Sequence, residues 1–160
     1  MTLVFVYGTL LAGQVNHHLL TKTSCLGSHR TSARYTLYLL GAYPGLVAHG
    51  HTAVTGEVYR VDRAGLCALD RLESYPHLYR RVLLPTPWGR AWVYLYRGPI
   101  AGRQALPGGD WRGFCSAAAG RRGDAVRARP DAKNPSRRQA LRRQSPAPTP
   151  ATPPPEQSDG

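Results

Sequence analysis

Acidic residues are scarce in this chain: its 160 residues carry 9 Asp plus Glu against 21 Lys plus Arg, a formal charge of +12. Such a balance favours anionic partners, and clustered basic residues would point to nucleic acid. Clustering is what the first 115 residues lack, where the arginines are dispersed and no nucleic-acid motif of recognised spacing occurs, so no specific nucleic-acid partner is expected. Cysteine is also sparse. Cys25, Cys67 and Cys115 are odd in number and form no C-x-x-C pair, which argues against a disulfide framework or a zinc site and fits a reducing compartment. Long apolar runs are missing too. The first apolar stretch has no positive residues before it and breaks at Tyr7 to Thr9, which reads as neither a secretory signal nor a membrane span. A cytoplasmic protein without a membrane partner is expected. G-x-S-x-G, P-loop, G-x-G-x-x-G and H-E-x-x-H patterns are all absent, which argues against serine hydrolase, nucleotide-driven, dinucleotide and zinc chemistry. His17, His18, His49 and His51 read as surface or loop histidines, and no metal site is expected.

What is present divides the chain in two. Up to Cys115 there are 12 Lys plus Arg against 5 Asp plus Glu, and from Ser116 on 9 against 4, so both parts are basic. They differ in apolar content. After Cys115 come scattered alanines, one Val and one Leu, then proline-rich sequence from Ser145 to Pro155, too little apolar surface to offset the entropy of ordering. One folded domain over 1–115 and a disordered, basic, Pro-rich tail over 116–160 are expected. The pairs Arg121-Arg122, Arg137-Arg138 and Arg142-Arg143 could hold anionic surfaces weakly.

Strand signals dominate the first part: Leu3 to Tyr7, Arg34 to Leu40, Thr52 to Val61, Arg81 to Leu84 and Ala91 to Tyr96 are rich in Val, Leu, Tyr and Thr. The last two flank Pro85-Thr86-Pro87-Trp88-Gly89, which predicts an antiparallel hairpin. Tyr43-Pro44-Gly45 reads as a turn, and Asn16 can cap a short helix through Leu20. A clearer helix opens at Asp62 and closes before Pro76, with Leu66, Leu69 and Leu72 on its apolar face. At about 100° per residue Glu73 falls about 40° from the centre of that stripe, with Asp70 at its margin.

A carboxylate on the core-facing side of a helix is unusual. Glu73 also falls in the last turn, where the negative end of the helix dipole opposes its charge. A glutamate placed so can take up and give back a proton, as a general acid/base must. A buried ion pair with Arg71, Arg80 or Arg81 accounts equally well for the same position. The second feature is the loop after the first strand, Tyr7-Gly8-Thr9-Leu10, whose glycine lets backbone amides approach an anion or oxyanion, although a turn after any buried strand looks similar. A glycine loop and a lone acid suit a reaction whose nucleophile the substrate carries.

Taken in order, Tyr7-Gly8-Thr9-Leu10, Gly13, Asn16-His17, Tyr43-Pro44-Gly45, Gly56-Glu57-Val58-Tyr59, Leu69-Asp70 with Glu73, Tyr79 with Arg81, and Thr86-Pro87-Trp88-Gly89 resemble the γ-glutamylcyclotransferase-like family, over about residues 3 to 112. That family includes γ-glutamylamine cyclotransferase and related small bacterial proteins, and the bacterial branch is the most similar. The resemblance implies an α+β fold, a small mixed β-barrel with a few packed helices and a cavity at one end. It implies that Tyr7, Gly8, Thr9 and Leu10 hold a γ-glutamyl group and that Glu73 is catalytic. Tyr79 matches a recurrent family tyrosine, and it either lines the pocket or simply packs. Leu11-Ala12 stands where relatives often carry a basic residue.

The implied reaction is attack of the substrate's α-amino group on its own γ-carbonyl, releasing 5-oxoproline and a free amine or amino acid. It implies a small-molecule γ-glutamyl substrate and needs neither metal nor organic cofactor. A binder of γ-glutamyl or carboxylate ligands without turnover is the alternative, but a pure binder of anions would gain by losing a buried acid.

Overall fold

The computed structural model describes residues 1–122, so the proline-rich stretch and the tail from residue 123 on lie outside the described residues. In chain order the elements are β1 (Thr2–Val6), a 3-10 helix (His17–Leu20), β2 (Ser24–Arg30), β3 (Tyr35–Leu39), β4 (Pro44–Thr52), β5 (Thr55–Val61), α1 (Arg63–Leu72), β6 (Tyr79–Thr86), β7 (Gly89–Tyr96), β8 (Gln104–Ala105) and α2 (Trp111–Arg122). The class is α+β, as expected. The pairing groups the strands in two sheets, β2-β5-β1-β7-β6 and β4-β3-β8, where one small barrel was expected.

β1 lies at the centre of the larger sheet, antiparallel to β5 and parallel to β7. Val4, Phe5 and Val6 are buried, as a continuous apolar run on a central strand should be. The chain leaves β1 in the middle of the sheet, so the loop that follows emerges with neighbours on both sides. The sheet also bends back on itself. At the tip of the β6–β7 hairpin the Trp88 ring lies against Gly27 of β2, the opposite edge strand, so closely that a Cβ on Gly27 would come within 2.8 Å of it.

The hairpin forms in the expected place with a tighter turn: Thr86 pairs with Gly89, leaving Pro87 and Trp88 between them. The expected strand Thr52 to Val61 is two strands, since β4 ends at Thr52 and β5 starts at Thr55. Tyr43-Pro44-Gly45 is not itself the turn. Leu40 N–H closes the bend onto Tyr43 C=O at 2.9 Å, and Pro44 opens β4, a strand position where a missing N–H costs little. β2 carries little apolar pattern and a bulge between Cys25 and Gly27, and it is held by its register with β5.

α1 is capped as expected, with Asp62 Oδ1 accepting from Gly65 N–H at 2.7 Å. Leu69 is fully buried against the sheet. The helix ends at Leu72, before Pro76 as expected: Glu73 is its cap residue, and Ser74 turns into the left-handed region at φ +50°. α2 runs on past Cys115, where the domain was expected to end, and the alanines after Ser116 are good helix formers. Among the described residues no helix is long and apolar enough to cross a membrane.

Candidate functional site

The loop after β1 is shaped by bonds that use its carbonyls. Gly8 C=O accepts from Leu11 N–H at 3.0 Å and Thr9 C=O from Asn16 N–H at 2.8 Å. Leu10 C=O takes a bond from His17 Nδ1 at 3.0 Å, which makes Nδ1 the protonated ring nitrogen, because a carbonyl can only accept. The buried Asn16 side chain also donates to Thr9 Oγ1 at 2.9 Å. A hydroxyl that accepts in this way keeps its own proton to donate. The bonds that shape the turn draw on the amides of Leu11 and Asn16, not on those of Gly8, Thr9 and Leu10. Gly8 has a steric reason as well: a Cβ there would lie 2.6 Å from Pro44 Cγ, so only glycine lets the loop pass this close to the start of β4.

Glu73 faces this loop from the end of α1. Residues Phe5 to Leu10, Glu73 and Tyr94 line one small recess that is partly open to solvent. Glu73 is 5% exposed and is the only carboxylate among the lining residues. It lies at the helix end because Glu73 N–H still bonds to Leu69 C=O at 2.9 Å, while the left-handed turn at Ser74 carries the chain away. Arg81, one of the arginines that could have paired with it, is held by Asp70, with Nε to Oδ1 at 3.3 Å. Arg71 and Arg80 are exposed.

Three buried tyrosines lie within electrostatic reach of this carboxylate. The Tyr7 hydroxyl donates to Tyr94 C=O at 2.7 Å and accepts from Leu46 N–H at 3.3 Å, so the ring is a strut between β7 and β4. Burial raises its ionisation well above the usual tyrosine range, and the Glu73 charge adds to the effect. The Tyr94 hydroxyl donates to Asp70 Oδ1 at 2.7 Å; burial raises it too, with the Asp70 bond and charge adding. Tyr79 is buried, donates to Pro44 C=O at 3.1 Å and meets the Tyr96 ring edge-on at 5.6 Å. Burial raises it in turn, with Tyr7 and Glu73 contributing. All three stay protonated at neutral pH, so they can donate hydrogen bonds but do not carry charge.

The structure thus brings Tyr7, Gly8, Thr9, Leu10 and Glu73 together around one recess. Tyr79 is not among the lining residues; it packs one layer behind, within electrostatic reach of Glu73. Sequence reasoning missed Tyr94, because nothing in the strand pattern of β7 marks which of its tyrosines meets the recess. Asn16 was noticed as a helix cap, but it makes no side-chain capping bond and holds Thr9 instead. Among the described residues no three His, Cys, Asp or Glu side chains gather where they could hold one metal ion.

Comparison with known proteins follows the same residues. Residues 4–113 match the model of a family described as Gamma-glutamyl cyclotransferase, AIG2-like. A Vibrio cholerae protein named "Putative gamma-glutamylcyclotransferase" is 50% identical over 109 residues, covering 68% of this chain and 94% of the relative. The Escherichia coli K12 "Gamma-glutamylcyclotransferase family protein YtfP" is 44% identical over 108 residues, 68% of this chain and 94% of its own. The solution structure of the E. coli protein superposes with a TM-score of 0.59 over 69% of this chain and 96% of that one. A crystal structure of an uncharacterized protein from Pyrococcus horikoshii, 25% identical, gives a TM-score of 0.67 over 76% of this chain and 99% of that one.

Proposed function

Since this chain belongs to the gamma-glutamyl cyclotransferase, AIG2-like family, we propose that it cyclises γ-glutamyl amines or γ-glutamyl amino acids, releasing 5-oxoproline and a free amine or amino acid. The observation that carries the reading is the single recess lined both by Tyr7 to Leu10 and by Glu73. The loop amides receive the substrate's carboxylate or the oxygen of its γ-carbonyl as charge develops there. Thr9 Oγ adds a neutral donor.

Glu73 removes a proton from the α-ammonium, and the freed amine attacks the γ-carbonyl carbon of the same molecule. A carbon–nitrogen bond closes the five-membered ring. The bond to the leaving nitrogen then breaks as Glu73 returns the proton to that nitrogen, and the ring nitrogen gives up its second proton, which is taken up by the released amine as it becomes an ammonium ion. No water is consumed, and no protein nucleophile is required. An intramolecular attack chiefly needs the substrate held in a bent conformation with one proton carrier at hand, which a small recess with one carboxylate can supply. The neutral tyrosines near it carry no charge and do not compete for the proton.

The three free thiols, Cys25, Cys67 and Cys115, support a reducing, cytoplasmic setting. The test is to incubate the purified protein with γ-glutamyl-lysine isopeptide, other γ-glutamyl amines and γ-glutamyl dipeptides, and to follow 5-oxoproline by mass spectrometry. Release from at least one supports the reaction, and the preferred member identifies the leaving-group class. Binding without release from any of them would make the protein a γ-glutamyl binder.

A further inference from the structure

Glu57 is a second buried acid, 8% exposed, and it does not line the recess. Buried carboxylates need a reason. Its backbone pairs with Val6, the last residue of β1, immediately before the loop. Its side chain reaches past the loop to the other end, where Oε2 accepts from Ala12 N–H at 3.1 Å. The same oxygen accepts from the Tyr59 hydroxyl at 2.7 Å, and Oε1 accepts from Arg112 Nη2 of α2 at 2.6 Å. The Tyr59 ring meets the His17 ring at 5.8 Å, and His17 holds Leu10 C=O.

One residue thus fixes both ends of the Tyr7 to Leu11 segment, and its partners reach the middle. We infer that Glu57 is a positioning residue that sets the shape of the substrate loop; this rests on the proposal that the loop holds the γ-glutamyl group. A loop that follows a strand is more mobile than the strand itself, and an error of about 1 Å in such a site can cost about 100-fold in rate. The carboxylate is needed as an anion with acceptors on both oxygens. A glutamine would keep its oxygen on the Arg112 cation, which can only donate, and turn its NH2 toward Ala12 and Tyr59, which breaks the Ala12 bond.

The test pairs amide hydrogen exchange by NMR with kinetics on the γ-glutamyl panel, comparing wild type, Glu57→Gln and Arg112→Met. In Glu57→Gln, exchange at Ala12 is expected to quicken by at least about 10-fold, and kcat/KM to fall by about 10- to 100-fold, chiefly through kcat, in protein that remains folded at the assay temperature. Arg112→Met, which keeps the Oε2 bonds, should shift both readouts in the same direction by less. Should Glu57→Gln not fold, Tyr59→Phe and Arg112→Met carry the same two readouts. Unchanged exchange at Ala12 would overturn the assignment, and so would quickened exchange with kcat/KM within about 2-fold of wild type. If wild type turns over no panel member, the reaction is refuted separately. Affinity for γ-glutamyl-lysine isopeptide then replaces kcat/KM: weaker binding with quickened Ala12 exchange supports the brace, and unchanged binding contradicts it.

Discussion

The Tyr94 hydroxyl donates to Asp70 Oδ1 at 2.7 Å, which ties the wall of the recess to the helix that ends in Glu73. The same Asp70 oxygen meets Arg81 at 3.3 Å, and the Arg81 guanidinium lies over the rings of Tyr75 at 4.5 Å and Trp92 at 5.1 Å. Glu73 is therefore aimed by a network on the outer side of α1 as well as by the core beneath it. Tyr94→Phe keeps the ring and removes the bond. A loss of about 1–2 kcal/mol in stability is expected by thermal or denaturant unfolding, because a hydrogen bond to a charged acceptor is lost while Asp70 keeps Arg81. An unchanged unfolding midpoint would show that the bond does not tie the wall to the helix.

Gly8→Ala tests how closely the loop is packed. The added methyl would lie 2.6 Å from Pro44 Cγ and 3.0 Å from Cδ, and neither the proline ring nor the start of β4 can swing aside as a flexible side chain could. Destabilisation of about 1–3 kcal/mol is expected, as for other overpacked sites, and Gly8→Val should be worse. Ligand affinity measured by calorimetry should fall with it, since the loop must shift to make room. Full affinity in Gly8→Ala would mean that the loop is not the binding element.

Acid should weaken the fold through Glu57. Burial pushes its carboxyl up, but the hydrogen bonds from Arg112, Tyr59 and Ala12 outweigh that and hold it below the usual carboxylate range. A group depressed in the folded state contributes its full stability above its unfolded value of about 4.3, and that contribution is lost as pH falls through the lower folded value. The melting temperature of wild type should therefore drop below about pH 4.3, and Glu57→Gln should show a shallower acid limb. Parallel limbs for the two proteins would contradict the depressed value.

Much of this arrangement was legible in the sequence because it is local. The Asp62 cap and the spacing of Leu66, Leu69 and Leu72 predict both the helix and the inward position of Glu73, and the structure has Leu69 and Glu73 buried together. The hairpin is marked by its turn residues. What was not legible depends on pairing across the chain. β2 is polar and glycine-containing, and it is a strand only because β5 provides a partner. Tyr94 lines the recess and Tyr79 does not, although both are buried tyrosines on adjacent strands; only the register between β6 and β7 and the parallel contact with β1 separate them. The two sheets could not be read from strand order, since β4 and β5 follow each other closely in sequence and belong to different sheets. Glu57 stood in the motif Gly56-Glu57-Val58-Tyr59, but its reach to Ala12 and Arg112 spans 45 and 55 residues of sequence.

The central claim is that Glu73 carries the proton in a ring closure, and Glu73→Gln addresses it most directly because the amide keeps the shape and loses the proton carrier. Rates of 5-oxoproline formation by wild type and Glu73→Gln should be measured on the preferred γ-glutamyl substrate, with affinity taken on the same preparations. Turnover should fall by at least about 100-fold while affinity stays within about 10-fold. Turnover by Glu73→Gln within about 10-fold of wild type would contradict the claim and return Glu73 to a structural role at the end of its helix.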